Sequence, residues 1–116
     1  MEASLLTKET VPACPVETTL ALITSRWKVL ILRDLLDCGT MRFGELQRSV
    51  GKVSQKMLTQ SLRQMEADGL VCRTVYAEVP PRVEYSLTPL GESMRPVLDA
   101  MLAWGESYQA RARAEA

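Results

Sequence analysis

A short segment in the middle of the chain carries five polar side chains that could contact a polyanion. Their spacing of one and three residues places all five on one side of a helix. They are Gln55, Lys56, Thr59, Gln60 and Arg63. Amides, hydroxyls and guanidinium groups can hydrogen-bond to base edges in the major groove of DNA, and cations contact its phosphates. The alternative interpretation is a solvated polar face, which most amphipathic helices have.

The helix that would present these side chains has both ends marked in the sequence. Ser54 is a favourable N-cap, and Gly69 can adopt the left-handed conformation that ends a helix. On the opposite side, Leu58, Leu62 and Met65 lie at i, i+4 and i+7 and form an apolar stripe. The sequence therefore predicts a helix that packs this stripe on a core and turns its polar side outward.

Three helices are predicted before this one. Apolar residues at helical spacing place them at residues 16–23, 25–39 and 43–50. The second is the most apolar and is predicted to be the central core helix, with Arg33 and Asp34 pointing outward. A tight turn separates the third helix from the polar helix. Helix, brief turn and helix is the helix-turn-helix arrangement, in which the first member supports the second against a DNA groove.

A hairpin is predicted after the polar helix. Residues 70–76 are rich in β-branched and aromatic side chains, and residues 82–87 alternate between apolar and polar. Pro80 and Pro81 stiffen the loop between them and place Arg82 at the base of a projecting tip. An ordinary hairpin that covers the core is one interpretation. Behind a helix-turn-helix, the hairpin is predicted to be the wing of a winged-helix domain, where an arginine suits the negative potential of the minor groove.

The last helix is predicted to begin at Thr88 and Pro89, a favourable cap and first helical residue. Pro96 lies inside it and is predicted to bend it. Apolar residues continue from Leu90 to Tyr108, which is more surface than the core of a small domain needs. This surface indicates a dimer interface, and packing against the same chain is the alternative.

Length and composition limit the classes of function. A chain of 116 residues is predicted to form one domain over residues 14–108, between a flexible arm at 1–13 and a frayed tail at 109–116. The chain has no histidine, which excludes histidine bases, Ser-His triads and His-ligated metals. It also lacks a CxxC pair and a Gly-rich phosphate loop. No enzymatic activity, cofactor or metal is predicted.

The sequence also predicts where the protein is located and how its charge is distributed. No apolar run reaches the roughly 20 residues of a membrane span, and the N-terminus does not resemble a signal peptide, so a cytoplasmic protein without membrane contact is predicted. The formal net charge is zero, but residues 42–82 carry seven basic and four acidic residues. This excess of three positive charges surrounds the polar helix, as expected for a DNA-facing middle with partner-facing ends.

Four segments together resemble the HxlR-type winged-helix transcription regulators of bacteria, relatives of the multiple-antibiotic-resistance (MarR) class. They are CPVETTLALITSRWKVLILRDLL, MRFGELQR, SQKMLTQSLRQMEADGLV and YAEVPPRVEYSLTPLG. The resemblance as a whole covers residues 14 to about 105. The last of them is the most specific. The resemblance implies a mainly α (α+β) fold: a winged helix-turn-helix with N- and C-terminal dimerisation helices. It further implies a homodimer that binds double-stranded operator DNA.

The resemblance also assigns roles to individual residues. DNA contacts fall on Ser54, Gln55, Lys56, Thr59, Gln60 and Arg63 of the polar helix and on Arg82 of the wing. The dimer interface is predicted to contain Leu20, Met94, Leu98, Met101, Leu102 and Trp104. A winged-helix adaptor that contacts only proteins and no DNA is the alternative function, which the zero net charge leaves open.

Several members of this family respond to oxidants, quinones or aldehydes through a cysteine before the first helix, which Cys14-Pro15-Val16 matches here. A thiol at a helix N-terminus lies at the positive end of the helix dipole, which favours reactivity. Cys14 is therefore a candidate redox sensor with a small electrophile or oxidant as effector. The alternative is a small apolar residue buried in the dimer interface. Cys38 is predicted to be structural, and alternation leaves the face of Cys72 undecided.

Overall fold

A computed structural model of the chain describes residues 10–115, which form six helices and one three-stranded sheet. The helices are α1 (Pro15–Ile23), α2 (Arg26–Cys38), α3 (Phe43–Val50), α4 (Gln55–Ala67), α5 (Pro89–Glu92) and α6 (Arg95–Glu115). The strands are β1 (Met41–Arg42), β2 (Val71–Tyr76) and β3 (Arg82–Leu87). Most of the predicted N-terminal arm, residues 1–9, lies outside the described residues. Within 10–115, no helix is long and apolar enough to cross a bilayer.

The core surrounds α2, as the apolar stripe of that helix predicts. α2 contacts α1, α3, α4, α6 and β3, so it touches most of the other elements. Eight apolar side chains are almost completely buried there. They are Ile31, Leu32, Leu35, Leu46, Leu58, Leu62, Met65 and Leu70. Trp27 and Leu30 of the predicted stripe are partly buried against this cluster.

The predicted hairpin and the predicted short pairing before α3 form one antiparallel sheet in the order β1-β3-β2. Tyr85 lies opposite Met41 on one side and opposite Arg73 on the other. Near the loop, Tyr76 lies opposite Arg82. Because side chains alternate along a strand, Arg73 and Tyr85 share one face of the hairpin, and Tyr76 and Arg82 share the other.

Asp34 corrects one prediction, because it does not point outward. Its side chain is 7% exposed, with Oδ1 accepting a 2.8 Å hydrogen bond from Arg33 Nε and Oδ2 accepting a 2.8 Å bond from Ser49 Oγ. The bond to Asp34 raises the pKa of the exposed Arg33 guanidinium above its ordinary value. A buried carboxylate needs such donors. Asp34 therefore ties α2 to α3, the helix that supports α4.

The predicted last helix is two helices. Thr88 Oγ1 accepts a 3.0 Å hydrogen bond from the backbone N–H of Gly91, as expected of the cap, but α5 ends after four residues. α6 starts at Arg95, so Pro96 occupies its first turn, where an intrahelical N–H donor is not required. The predicted bend is thus replaced by a break before Pro96. α6 remains helical to Glu115, which includes most of the segment predicted to fray.

Two of the residues predicted for a dimer interface contact the core of their own chain. Met94, between α5 and α6, is 8% exposed and belongs to the buried cluster. Leu98 packs against the same cluster. The first residues of α6 thus attach the helix to the domain. The reason is helical geometry, because only one side of the long apolar helix can face α2.

We expect Ser49→Ala to destabilise the domain by about 1–3 kcal/mol, since it leaves the buried Oδ2 of Asp34 without its donor. Denaturant unfolding monitored by circular dichroism measures this change. Ser107→Ala, at an exposed position of α6, is the control and should stay within about 0.5 kcal/mol of the parent. Equal stability of the two variants would contradict a structural role for the Asp34–Ser49 bond.

Candidate nucleic-acid interface

Hydrogen bonds fix the turn between α3 and α4, including one of 2.8 Å from the Val53 N–H to the Gly51 carbonyl. Gly51, at φ 111°, ends α3 with its N–H donating to the carbonyl of Gln47 at 3.3 Å. Gln47 Nε2 donates to the carbonyl of Val53 at 3.2 Å. Ser54 Oγ then accepts from the backbone N–H of Met57 at 3.1 Å, which is the predicted N-cap bond. The start and direction of α4 are therefore set by local contacts.

Tertiary packing determines which side of α4 faces outward. Leu58, Leu62 and Met65 are buried, as the spacing predicts, and Ser61 between them is also buried. This side of α4 contacts α2 and β2. The opposite side has no covering element within residues 10–115 and carries the predicted polar residues.

The five polar residues predicted on α4 lie together and line one open surface depression. Gln55, Lys56, Gln60 and Arg63 are exposed, and Thr59 is half-buried. Within residues 10–115, neither Lys56 nor Arg63 forms an ion pair. Both cations are thus available to an anionic ligand. Ser54 Oγ accepts the cap hydrogen bond, and its hydroxyl proton can be donated to a ligand.

Further cations adjoin this depression in sequence, and sequence reasoning had not assigned them to the site. Arg42 precedes α3, Arg48 lies in its last turn, and Lys52 lies in the turn before α4. All three side chains are exposed and take part in no ion pair among the described residues. The signal that could have found them is the excess of positive charge over residues 42–82.

Arg82 does not project from the hairpin as an unpaired cation. It opens β3, near the predicted base of the tip, but its guanidinium lies 4.0 Å from the ring centroid of Tyr76. Its Nη2 is 3.4 Å from Glu78 Oε1, and its Nε is 3.7 Å from Glu84 Oε2. The side chain is 29% exposed. Two carboxylates thus balance its charge on the outer face of the wing.

A small cavity of about 150 Å³ separates α4 from the inner face of the hairpin. It is lined by Thr59, Leu62, Arg63, Glu66, Arg73 and Tyr85. Arg73 Nε lies 3.6 Å from Glu66 Oε1. Burial raises the pKa of the Tyr85 phenol above its ordinary value, against the opposing effect of the Arg73 charge. Sequence reasoning missed this cavity, because only the strand register brings Arg73 opposite Tyr85.

A second uncovered surface lies on α6. Met101, Leu102 and Trp104 of the predicted dimer interface are exposed, as is Leu20 on α1. Trp104 is 69% exposed and stacks on Tyr108 with ring centroids 5.5 Å apart. Large apolar side chains in this number are unusual on an isolated surface and indicate a binding face.

The three cysteines are all exposed and unpaired. Cys14 is the N-cap of α1, as predicted, and its side chain makes no capping hydrogen bond. Cys38 ends α2 at the surface. Cys72 lies on the outer face of the hairpin, which resolves the open question of its orientation. Within residues 10–115, no group of three or more Cys, Asp or Glu side chains could hold a metal ion.

Comparison with known proteins agrees with this geometry. The HxlR-like helix-turn-helix family matches residues 22–113. The uncharacterized HTH-type transcriptional regulator YdeP of Bacillus subtilis is 49% identical over 98 residues, which cover 84% of this chain and 76% of that protein.

Solved structures of the redox regulator HypR are also similar. Its reduced form has a TM-score of 0.81 at 44% identity, with coverage of 87% of this chain and 99% of that chain. Its oxidized form has a TM-score of 0.75 at 48% identity, with coverage of 81% and 96%. The predicted winged-helix fold and the predicted family are therefore confirmed. The chain belongs to the HxlR-like helix-turn-helix family of transcriptional regulators.

Proposed function

We propose that this regulator binds double-stranded operator DNA as a homodimer and reads its sequence with the polar face of α4. The observation that supports this most directly is the open depression on α4, whose two cations have no ion-pair partner within residues 10–115. A helix of this width fits the major groove. The hydrogen bonds of the preceding turn hold it in a single orientation.

The residues of α4 divide into two kinds of contact. Arg63 can form paired hydrogen bonds to a guanine edge, and Gln55 and Gln60 can do the same with adenine. Lys56 and the exposed hydroxyl of Ser54, at the positive end of the α4 dipole, are suited to phosphates. The base contacts give sequence preference, and the phosphate contacts give an affinity that falls as the salt concentration rises.

Dimerisation would place two α4 helices about 34 Å apart, one turn of DNA, over a pseudo-palindromic site. The exposed apolar side chains of α6, with Leu20 on α1, support this part of the proposal. We propose that Met101, Leu102 and Trp104 pack against the same residues of a second chain. Met94 and Leu98 then serve to anchor α6 to its own domain.

A winged-helix adaptor that binds only proteins is the second candidate function, favoured by the zero formal net charge. The distribution of charge favours DNA, because the exposed cations gather around one polar helix face. If the protein is an adaptor, the parent protein should show no salt-dependent DNA binding. Titration with DNA therefore separates the two candidates.

We expect Arg63→Ala to lower the preference for operator over mixed-sequence DNA by about 1–3 kcal/mol, roughly 5- to 150-fold, because it removes a base contact. Fluorescence anisotropy with labelled duplexes from the promoter region of its own gene measures both affinities. Arg111→Ala, at an exposed position of α6, is the matched control and should leave the preference unchanged. An unchanged preference in Arg63→Ala would contradict base reading by this residue.

We expect Leu102→Glu to convert the dimer into a folded monomer, since a charge in an apolar interface is costly to bury. Sedimentation equilibrium measures the mass, and circular dichroism verifies folding. Leu90→Glu is the control, because Leu90 is similarly exposed but lies on α5, away from the proposed interface. Retention of the dimer by Leu102→Glu, or its loss in Leu90→Glu alone, would contradict the assigned interface.

We further propose that Cys14 makes DNA binding sensitive to thiol oxidants. Its thiol is exposed at the start of α1, a helix whose outer side carries Leu20 of the proposed interface. Modification there would change the contact between the chains and therefore the spacing of the two α4 helices. The similarity to structures of the redox regulator HypR supports an oxidant as the effector.

Treatment with diamide should therefore lower the affinity of the parent protein for its operator, and Cys14→Ser should be insensitive. The same anisotropy titration measures this, before and after treatment. Cys72→Ser is the control, because the Cys72 thiol is also exposed but lies on the hairpin. It should keep the response of the parent. Equal sensitivity of Cys14→Ser would assign the response to another cysteine.

A further inference from the structure

We propose that the cavity between α4 and the inner face of the hairpin binds one backbone phosphate of DNA, with Glu66 holding Arg73 until that phosphate replaces it. The proposal rests on the proposed DNA-binding function. It adds Arg73 and Tyr85 as phosphate contacts and gives Glu66 the role of an internal counter-ion. The wing would thus contribute its inner face to DNA binding.

Strand register places the required groups together. Arg73 on β2 lies directly opposite Tyr85 on β3, so both side chains stand on the face that turns toward α4. Thr59 and Arg63 reach the same cavity from the polar side of α4. At about 150 Å³ the cavity has room for roughly five water molecules of about 30 Å³ each, enough for a phosphate group. The guanidinium of Arg73 and the hydroxyls of Thr59 and Tyr85 therefore converge on a phosphate-sized opening, with the base-reading Arg63 at its edge.

The Glu66–Arg73 ion pair is weak enough for a DNA phosphate to replace Glu66 as the partner of Arg73. The closest N–O distance of 3.6 Å exceeds that of a charge-assisted hydrogen bond, and the two side chains are 41% and 47% exposed. Ion pairs of this kind contribute little to stability. A DNA phosphate can instead accept paired hydrogen bonds from the guanidinium of Arg73. Replacing the carboxylate by a phosphate therefore loses little and gains a stronger bond.

Tyr85 supplies a neutral donor at the same place. A phenol with its ordinary pKa of about 10 is protonated at neutral pH and can donate to a phosphate oxygen. Burial raises the pKa of the Tyr85 phenol further. Among residues 10–115 the Tyr85 hydroxyl makes no hydrogen bond, and the Tyr85 ring packs against the core. Tyr85 is thus held in place by apolar contacts while its polar end is left for a ligand.

The position of the cavity fits the path of a DNA strand. In the proposed complex α4 enters the major groove and the hairpin approaches the adjacent minor groove, so the sugar-phosphate backbone runs between them. The cavity lies between these two elements. On the outer face, Arg82 already has two carboxylate partners, Glu78 and Glu84. The inner face is therefore the one with cationic groups that a phosphate can reach.

A double-mutant cycle on the full chain tests this exchange. Arg73→Gln should weaken binding to operator and mixed-sequence duplexes equally, by about ten-fold, and should lower the slope of log K against log salt by about one. Glu66→Gln should strengthen binding to both, because it releases Arg73. In the Arg73→Gln background, the gain from Glu66→Gln should disappear. Tyr85→Phe should weaken binding to both duplexes with an unchanged slope.

Two control variants, together with the responses of the Glu66 and Arg73 variants and of the parent protein, define the contrary outcomes. Arg95→Gln, whose partner Glu92 lies at 3.2 Å on another surface, should leave binding unchanged. Glu78→Gln tests whether loss of any carboxylate near the DNA strengthens binding. An increase in DNA affinity equal to that of Glu66→Gln would overturn the exchange. So would an increase in affinity from Glu66→Gln that persists in the Arg73→Gln background. Weaker binding in both Glu66→Gln and Arg73→Gln would assign the pair a purely structural role. If the parent protein binds no DNA, the proposed function itself fails, whereas parental binding with an unaffected Arg73→Gln rejects only this phosphate site.

Discussion

The structure depends on the burial of one side of α4 against α2. Leu58, Leu62 and Met65 enter the cluster built around α2, and burial of each such side chain contributes about 1.5–3 kcal/mol. A rotation of α4 by half a turn would expose this stripe and bury Lys56 and Arg63, whose charges have no ion-pair partners within residues 10–115. The same free-energy difference that stabilises the core therefore keeps the polar face of α4 outward.

The cations of the described residues differ in whether a carboxylate already pairs with them. Arg82 is balanced by two glutamates and stacks on an aromatic ring, whereas the cations of α4 and of the preceding turn are unpaired among the described residues. Arg73 is intermediate, because its one ion-pair partner within residues 10–115 is a half-exposed carboxylate. Formal charge per segment does not distinguish these cases. The chain is neutral overall, yet its available positive charge is concentrated beside one helix.

Elements with strong local signals were predicted well. Ser25 and Ser54 cap α2 and α4 as expected, with hydrogen bonds to backbone N–H groups at 3.2 and 3.1 Å. The hairpin forms where apolar alternation and Pro80-Pro81 placed it. These signals act over a few residues, so neighbouring sequence is sufficient. The break in the last helix was missed because Pro96 was interpreted as a bend, although proline is equally compatible with the first turn of a new helix.

The sequence by itself determined most of the elements and the polar face of α4, since these follow from residue types at short spacings. The resemblance of four segments to a known family indicated the family and the candidate DNA contacts. Only the tertiary structure decided which side chains are buried and which polar groups are paired with others. Asp34 is buried because Ser49 of another helix reaches it, and Met94 is in the core because α6 docks on α2. Arg73 meets Glu66 only through the register of β2 beside α4. Burial and ion pairing depend on residues that are distant in sequence. Periodicity along one segment does not identify those partners.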